Sequence, residues 1–194
     1  MLIDRGTGPR VSAARHKTMK LNPLIAVAAA FLGLTAVAHA QSPAATELSA
    51  HKDWKAFTYD GGGGKMCYVA TQLKDGSSKY SKPISERDGA YFQVTRIPSQ
   101  NVQNEASAIA GYKFLPNSEV SVDVDGTKFR MFLDASHPDT AWVEPEDEAA
   151  LIEAMRKGSK LVFTGTSSRN TLVSDTFSLS GISAALDAIV KECP

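Results

Sequence analysis

Between Val120 and Leu133 the chain reads VSVDVDGTKFRMFL. Val120, Val122 and Val124 alternate with Ser121 and Asp123, and Phe129, Met131 and Leu133 alternate on the far side of Asp125-Gly126. A period of two places alternate side chains on one face of a strand. Asp-Gly between two such runs marks a two-residue hairpin, because the turn needs positive φ, which Gly takes cheaply and Asp tolerates. Slipping the pairing by one residue would turn every apolar side chain to the wrong face. This stretch therefore commits the chain to antiparallel strands with one buried face, and the rest of the fold has to cover that face.

The same period recurs elsewhere. DWKAFTY at 53–59 reads as an aromatic-rich strand. KMCYVATQL at 65–73 reads as the next, with Cys67, Val69 and Leu73 on one side, and AYFQVTRI at 90–97 as a third, stopped by Pro98. TAWVE at 140–144 is a short strand, and the segments at 160–168 and 171–180 form a second hairpin in which Val173, Phe177 and Leu179 share a face. Residues 74–89 and the polar connection after Pro98 read as loops. Two segments change period. A helix is expected over about 145–157, with Pro145, Glu146, Asp147 and Glu148 in its first turn and Arg156 and Lys157 in its last. Leu151, Ile152 and Met155 form its core side, and Gly158 is its expected C-cap. After Gly181, Ile182, Leu186, Ile189, Val190 and Cys193 fall on one helical stripe. The pattern predicts a mainly β fold, an antiparallel sandwich or open barrel with two short helices, the last one C-terminal; an α+β roll is the alternative.

The N-terminal segment has a different character. Lys17 and Lys20 precede the apolar run LIAVAAAFLGLTAVA, which ends at Ala38-His39-Ala40 before QSP. A basic start, a short apolar stretch and an A-x-A site predict a secretory signal peptide cut between Ala40 and Gln41. A transmembrane anchor is disfavoured by the shortness of the run. The compact signal begins at Met19, so Met19 is the expected start of translation. The expected organisation is an extension and signal at 1–40, a loose leader at 41–52 and one domain at 53–194. Residues 1–40 hold five basic residues (Arg5, Arg10, Arg15, Lys17, Lys20) and one acidic residue, Asp4. Taking these from totals of 21 and 21 leaves 16 basic and 20 acidic residues, a net of −4. Such a balance argues against a nucleic-acid partner and against electrostatic docking to anionic lipid.

Cys67 and Cys193 are the only cysteines. An oxidising compartment and an even count point to one disulfide. Each also falls on an apolar face by its own local periodicity, so the bond would fasten the terminal helix to the sheet. A nucleophilic or metal-binding cysteine is the alternative, but only His51 and His137 follow residue 40 as histidine partners.

Motifs with chemistry are few. GGGGKM at 61–66 lacks the spacing and the Ser or Thr of a phosphate loop and reads as a hairpin turn. DVDG at 123–126 lacks the later ligands of a calcium loop. GTSSR at 165–169 offers hydroxyls without a nucleophile elbow, and His137 alone makes no metal site. Helix-dipole pairing accounts for the acidic cluster of Glu144, Glu146, Asp147 and Glu148. No catalytic, cofactor or metal site is expected. Trp54, Trp142, Tyr91 and Phe92 are candidates to line a groove, with core packing as the alternative.

From Gly111 to Cys193 the chain carries GYKFLPNSEVSVDVDGTKFRMF, AWVE, LIEAMRKGSKLVFTGTSSRNT and DTFSLSGISAALDAIVKEC, with YFQVTRIP and the Cys67 segment as looser matches. In these it resembles the invasion-associated locus B family of bacterial exported proteins. The family pattern has Gly where Asn117 and Asn170 stand and an aromatic residue where Ile182 stands. Asn also visits left-handed backbone, so both turns are expected to survive. The resemblance implies a non-enzymatic periplasmic or secreted protein with an envelope or host-interaction role, associated with virulence. It implies a protein or envelope partner and no cofactor. The alternatives are a hydrolase using Ser167, Ser168 and His137, and an inhibitor or chaperone of another exported protein.

Overall fold

A computed structural model describes residues 44–84 and 87–194 of the chain. The expected signal and its Ala40–Gln41 junction lie outside the described residues. The strands are β1 (Thr46–His51), β2 (Trp54–Gly61), β3 (Gly64–Gln72), β4 (Ser78–Tyr80), β5 (Tyr91–Ile97), β6 (Val102–Ile109), β7 (Val120–Val124), β8 (Thr127–Leu133), β9 (Thr140–Val143), β10 (Lys160–Thr166) and β11 (Leu172–Ser178). The helices are α1 (Glu148–Lys157) and α2 (Ile182–Glu192). All strands join one antiparallel sheet in the order β1-β2-β3-β5-β6-β9-β8-β7-β10-β11-β4.

That order curls the sheet. β4 follows β3 closely in sequence, yet it pairs with β11 at the far edge. The chain can do this only if the two ends of the sheet come face to face. Trp54 Nε1 on β2 donates to Ser178 O on β11 at 2.9 Å, Asp53 N–H ahead of β2 donates to Ser180 O after β11 at 3.2 Å, and the rings of Phe92 and Phe177 lie 6.2 Å apart across the interior. The sheet is curled but not closed, the open barrel of the two forms, sandwich or open barrel, that the strand pattern predicted. Inward-facing Trp54, Val69, Phe92, Val122, Leu161 and Phe163 make one core, and α1 and α2 add Leu151, Met155, Ile182, Leu186 and Ile189 to it.

Local chemistry explains the elements. The β7–β8 turn has Asp125 at φ 47° and Gly126 at φ 99°, with Gly126 N–H donating to Asp123 Oδ1. The four glycines at 61–64 are the β2–β3 hairpin turn. Asn117 and Asn170 are both left-handed, at φ 60° and 59°. At Gly181, φ is 98° and an added Cβ would sit 1.9 Å from His51 O, so the β1–β2 turn is seated directly on the start of α2.

Several expectations are corrected. Residues 46–51, expected within a loose leader, form β1. It is an edge strand, TELSAH, with no fully buried residue, whose backbone pairing with β2 needs no apolar row. The polar loops hide β4 and β6. In β6 the inward side chains are Ala106 and Ala108, too small to announce a strand. A 3-10 turn at Pro145–Asp147 precedes α1, shortening the expected helix to 148–157. Gly158 is the C-cap of α1 as expected, its N–H donating to Ala154 O, but its backbone is extended rather than left-handed. A Cβ there would crowd Val124 and Leu179, so close packing is what requires Gly. Val190 is exposed at the edge of the α2 stripe, and Ala185 is buried in its place. Among the described residues no helix is long and apolar enough to cross a membrane.

Candidate functional site

Cys67 on β3 and Cys193 at the end of α2 are joined by a disulfide, with Cα atoms 6.0 Å apart and both residues buried. Arg96 on β5 donates from Nε to Cys193 O at 2.9 Å, and Lys65 pairs with Glu192 beside it. The bond, the buried guanidinium and the surface ion pair hold the last turn of α2 against the sheet. A fully buried disulfide presents no thiolate to a substrate.

A second constellation ties β11 and β4, at one end of the sheet, to the segment ahead of β5. Arg87, just ahead of β5, forms a bidentate pair with Asp175 on β11, and the two side chains are 8% and 0% exposed. Ser78 Oγ on β4 donates to Asp175 Oδ1 at 2.7 Å, and Arg87 Nε donates to Ala110 O at 2.8 Å. Burial pulls the guanidinium pKa down, but hydrogen bonds to Asp175 and Tyr80 outweigh it and hold the group above its ordinary value. The Tyr112 ring lies 5.2 Å from the guanidinium carbon, and its phenol is pushed up by burial, with Asp175 adding to the effect. Every charge here is answered, which makes the pair a latch between β4, β5 and β11 rather than a reactive group. Sequence reasoning missed it. The available signal was Asp175 itself, a charged residue in phase with Val173, Phe177 and Leu179 on an inward row.

Two grooves flank the segment 111–118. A polar one of about 300 Å³ is lined by Arg87, Tyr112, Lys113, Ser167, Ser168 and Arg169, among others. A larger, more apolar one of about 560 Å³ lies between Phe114–Ser118 and Met131–Pro138. The candidate hydrolase residues are divided between them: Ser167 and Ser168 line the first and His137 the second. The strip between is fixed on both sides, since Ser168 N–H donates to Lys113 O and Phe114 N–H donates to Pro138 O. Ser167 Oγ accepts from Thr171 N–H within its own turn, and His137 Nδ1 lies 3.0 Å from Ser136 Oγ. Neither side chain is placed to activate the other.

The four aromatic candidates split evenly. Trp54 and Phe92 are fully buried core, Tyr91 is exposed, and Trp142 is half-buried on the outer face of β9. Trp142 stacks on Phe132 of β8, and His137 meets it edge-on.

A family model described as "Invasion associated locus B (IalB) protein" matches residues 54–190. The chain belongs to the IalB family. The match runs from the first residue of β2 to within three residues of Cys193, so it takes in the core apart from Cys193 itself, with the latch and both grooves. Among solved structures, the IalB chain is similar to the crystal structure of invasion associated protein B from Bartonella henselae. The TM-score is 0.51 at 15% identity, over 76% of this chain and 97% of that one. At that identity the likeness shows the fold. A search of curated proteins finds no match.

Proposed function

We propose that this IalB-family chain is an exported, non-enzymatic protein that acts by binding, in the periplasm or outside the cell, in an envelope or host-interaction role. The observation that carries the reading is the buried Cys67–Cys193 bond. A disulfide tying a terminal helix to a core strand suits an oxidising compartment, and in a reducing cytosol the pair would remain thiols. The apolar, basic-flanked segment before Gln41 supports the same reading as a cleaved export signal. Binding rather than catalysis is supported by the engagement of Ser167 and His137 in separate local contacts, and by a groove to which Phe114, Met131, Leu133 and Pro138 give apolar wall. The host-interaction role rests on the invasion named for the family and for the Bartonella protein.

A broad hydrolase screen on purified protein, run beside Ser168→Ala and His137→Ala, tests the non-enzymatic part. No turnover that depends on either residue is expected. Turnover abolished by His137→Ala would replace this reading with the hydrolase.

A further inference from the structure

The larger groove opens beside the end of β8. Phe114 and Met131 are its most buried lining residues, and Leu133 and Pro138 add apolar wall. Three observations distinguish it from ordinary surface. First, Phe132 lines it and is 39% exposed. Its ring lies 5.9 Å from Trp142 at an interplanar angle of 24°, with the His137 ring edge-on to Trp142 at 5.5 Å. These rings are ordered against one another on the outer face of the sheet, away from the core. Second, Ser118 lines the groove, and its Oγ is buried without a hydrogen-bond partner among the described residues. Such groups are nearly always satisfied by protein, water or ligand. Third, Asp134 stands at the mouth, with Oδ1 accepting from Ser136 N–H at 2.8 Å and Ser136 Oγ at 2.7 Å. Those bonds hold its pKa below the ordinary carboxylate value, the backbone bond contributing most. The mouth therefore presents a fixed, charged, acceptor-only group.

We propose that this groove binds a neutral saccharide chain, with a sugar C–H face on the exposed Phe132 ring, which Trp142 backs, and ring hydroxyls donating to Asp134. This deepens the reading of the chain as a binding protein and rests on it. The chemistry of the mouth selects among ligands. A fatty acid or phospholipid would set its anionic head beside the Asp134 carboxylate, which repels it. A proline-rich peptide also suits aromatic-lined grooves, but it offers carbonyl acceptors to a group that can only accept. A neutral sugar offers hydroxyl donors and an apolar face together.

The protein supplies its own probe. Of its two tryptophans, Trp54 is fully buried with its N–H committed to Ser178 O, so a ligand-dependent change in emission reports Trp142. The full chain is titrated with glucose and N-acetylglucosamine tetrasaccharides, and separately with decaproline. A saturable change below about 10 mM is expected with at least one saccharide. Phe132→Ala should weaken it about three- to tenfold, the scale of one lost aromatic contact. Asp134→Asn, on an exposed loop, keeps the Oδ1 that accepts from Ser136 N–H and should weaken binding in a chain that still folds, which keeps the test valid if Phe132→Ala folds poorly. No saturable change with any saccharide, equal binding by both variants, or a response to decaproline alone would overturn the proposal. Release of shorter sugars from a bound tetrasaccharide would uphold the site while overturning the non-enzymatic reading of the chain.

Discussion

At the scale of single residues, Arg87 and Asp175 show how a polar pair can be necessary without being reactive. Taking two charges out of water costs several kcal/mol each, and only tight pairing with further hydrogen bonds recovers it. Here Ser78 and the Ala110 carbonyl supply those bonds. Asp175→Ala should therefore cost about 3–5 kcal/mol, because it strands a buried guanidinium. Tyr112 makes the contrast. Its hydroxyl is buried without a partner among the described residues, although its ring rests on the same guanidinium. Tyr112→Phe should be neutral or stabilising by up to about 1 kcal/mol, since it removes an unsatisfied group and keeps the ring. Urea midpoints of the two variants check both signs. A destabilised Tyr112→Phe protein would mean that the hydroxyl has a partner after all.

Elements differ in how openly the sequence states them. The β7–β8 and β10–β11 hairpins are legible because their inward rows are large and their turns punctuated. β1, β4 and β6 are not, because backbone pairing holds them and their side chains are polar or small. The Arg87–Asp175 latch joins positions 88 residues apart, so only the curl of the sheet reveals the partner, even though Asp175 is out of place on its row. The outward placement of Trp142 was partly legible, since Ala141 and Val143 on either side of it are the inward residues of β9. The apolar groove was not, because Phe114 and Met131 meet only through the tertiary fold. The terminal helix was the clearest element, and its dependence on one bond can be tested. The loop closed by Cys67–Cys193 spans 126 residues, for which the chain-entropy estimate is about 4–5 kcal/mol. Reduction should lower stability by up to that amount. Hydrogen exchange should accelerate first in α2, while β7, β8 and β10 stay protected by strand pairing. Uniform acceleration across the sheet would show that the bond supports the whole core.

At the largest scale, the described residues form one curled sheet with two helices packed on its core. One end of the sheet, β11 with β4, is latched by an ion pair to the segment ahead of β5, its last helix is pinned by a disulfide, and its outer surface carries an aromatic groove. IalB membership agrees with that architecture, and the proposed export gives the disulfide its oxidant. Intact mass, taken without reduction after alkylation of denatured protein from the envelope fraction of the source cells, tests export and oxidation together. The account predicts a chain beginning at Gln41 that carries no alkyl group on Cys67 or Cys193. A chain that retains residues upstream of position 30, or one with both cysteines alkylated, would contradict it.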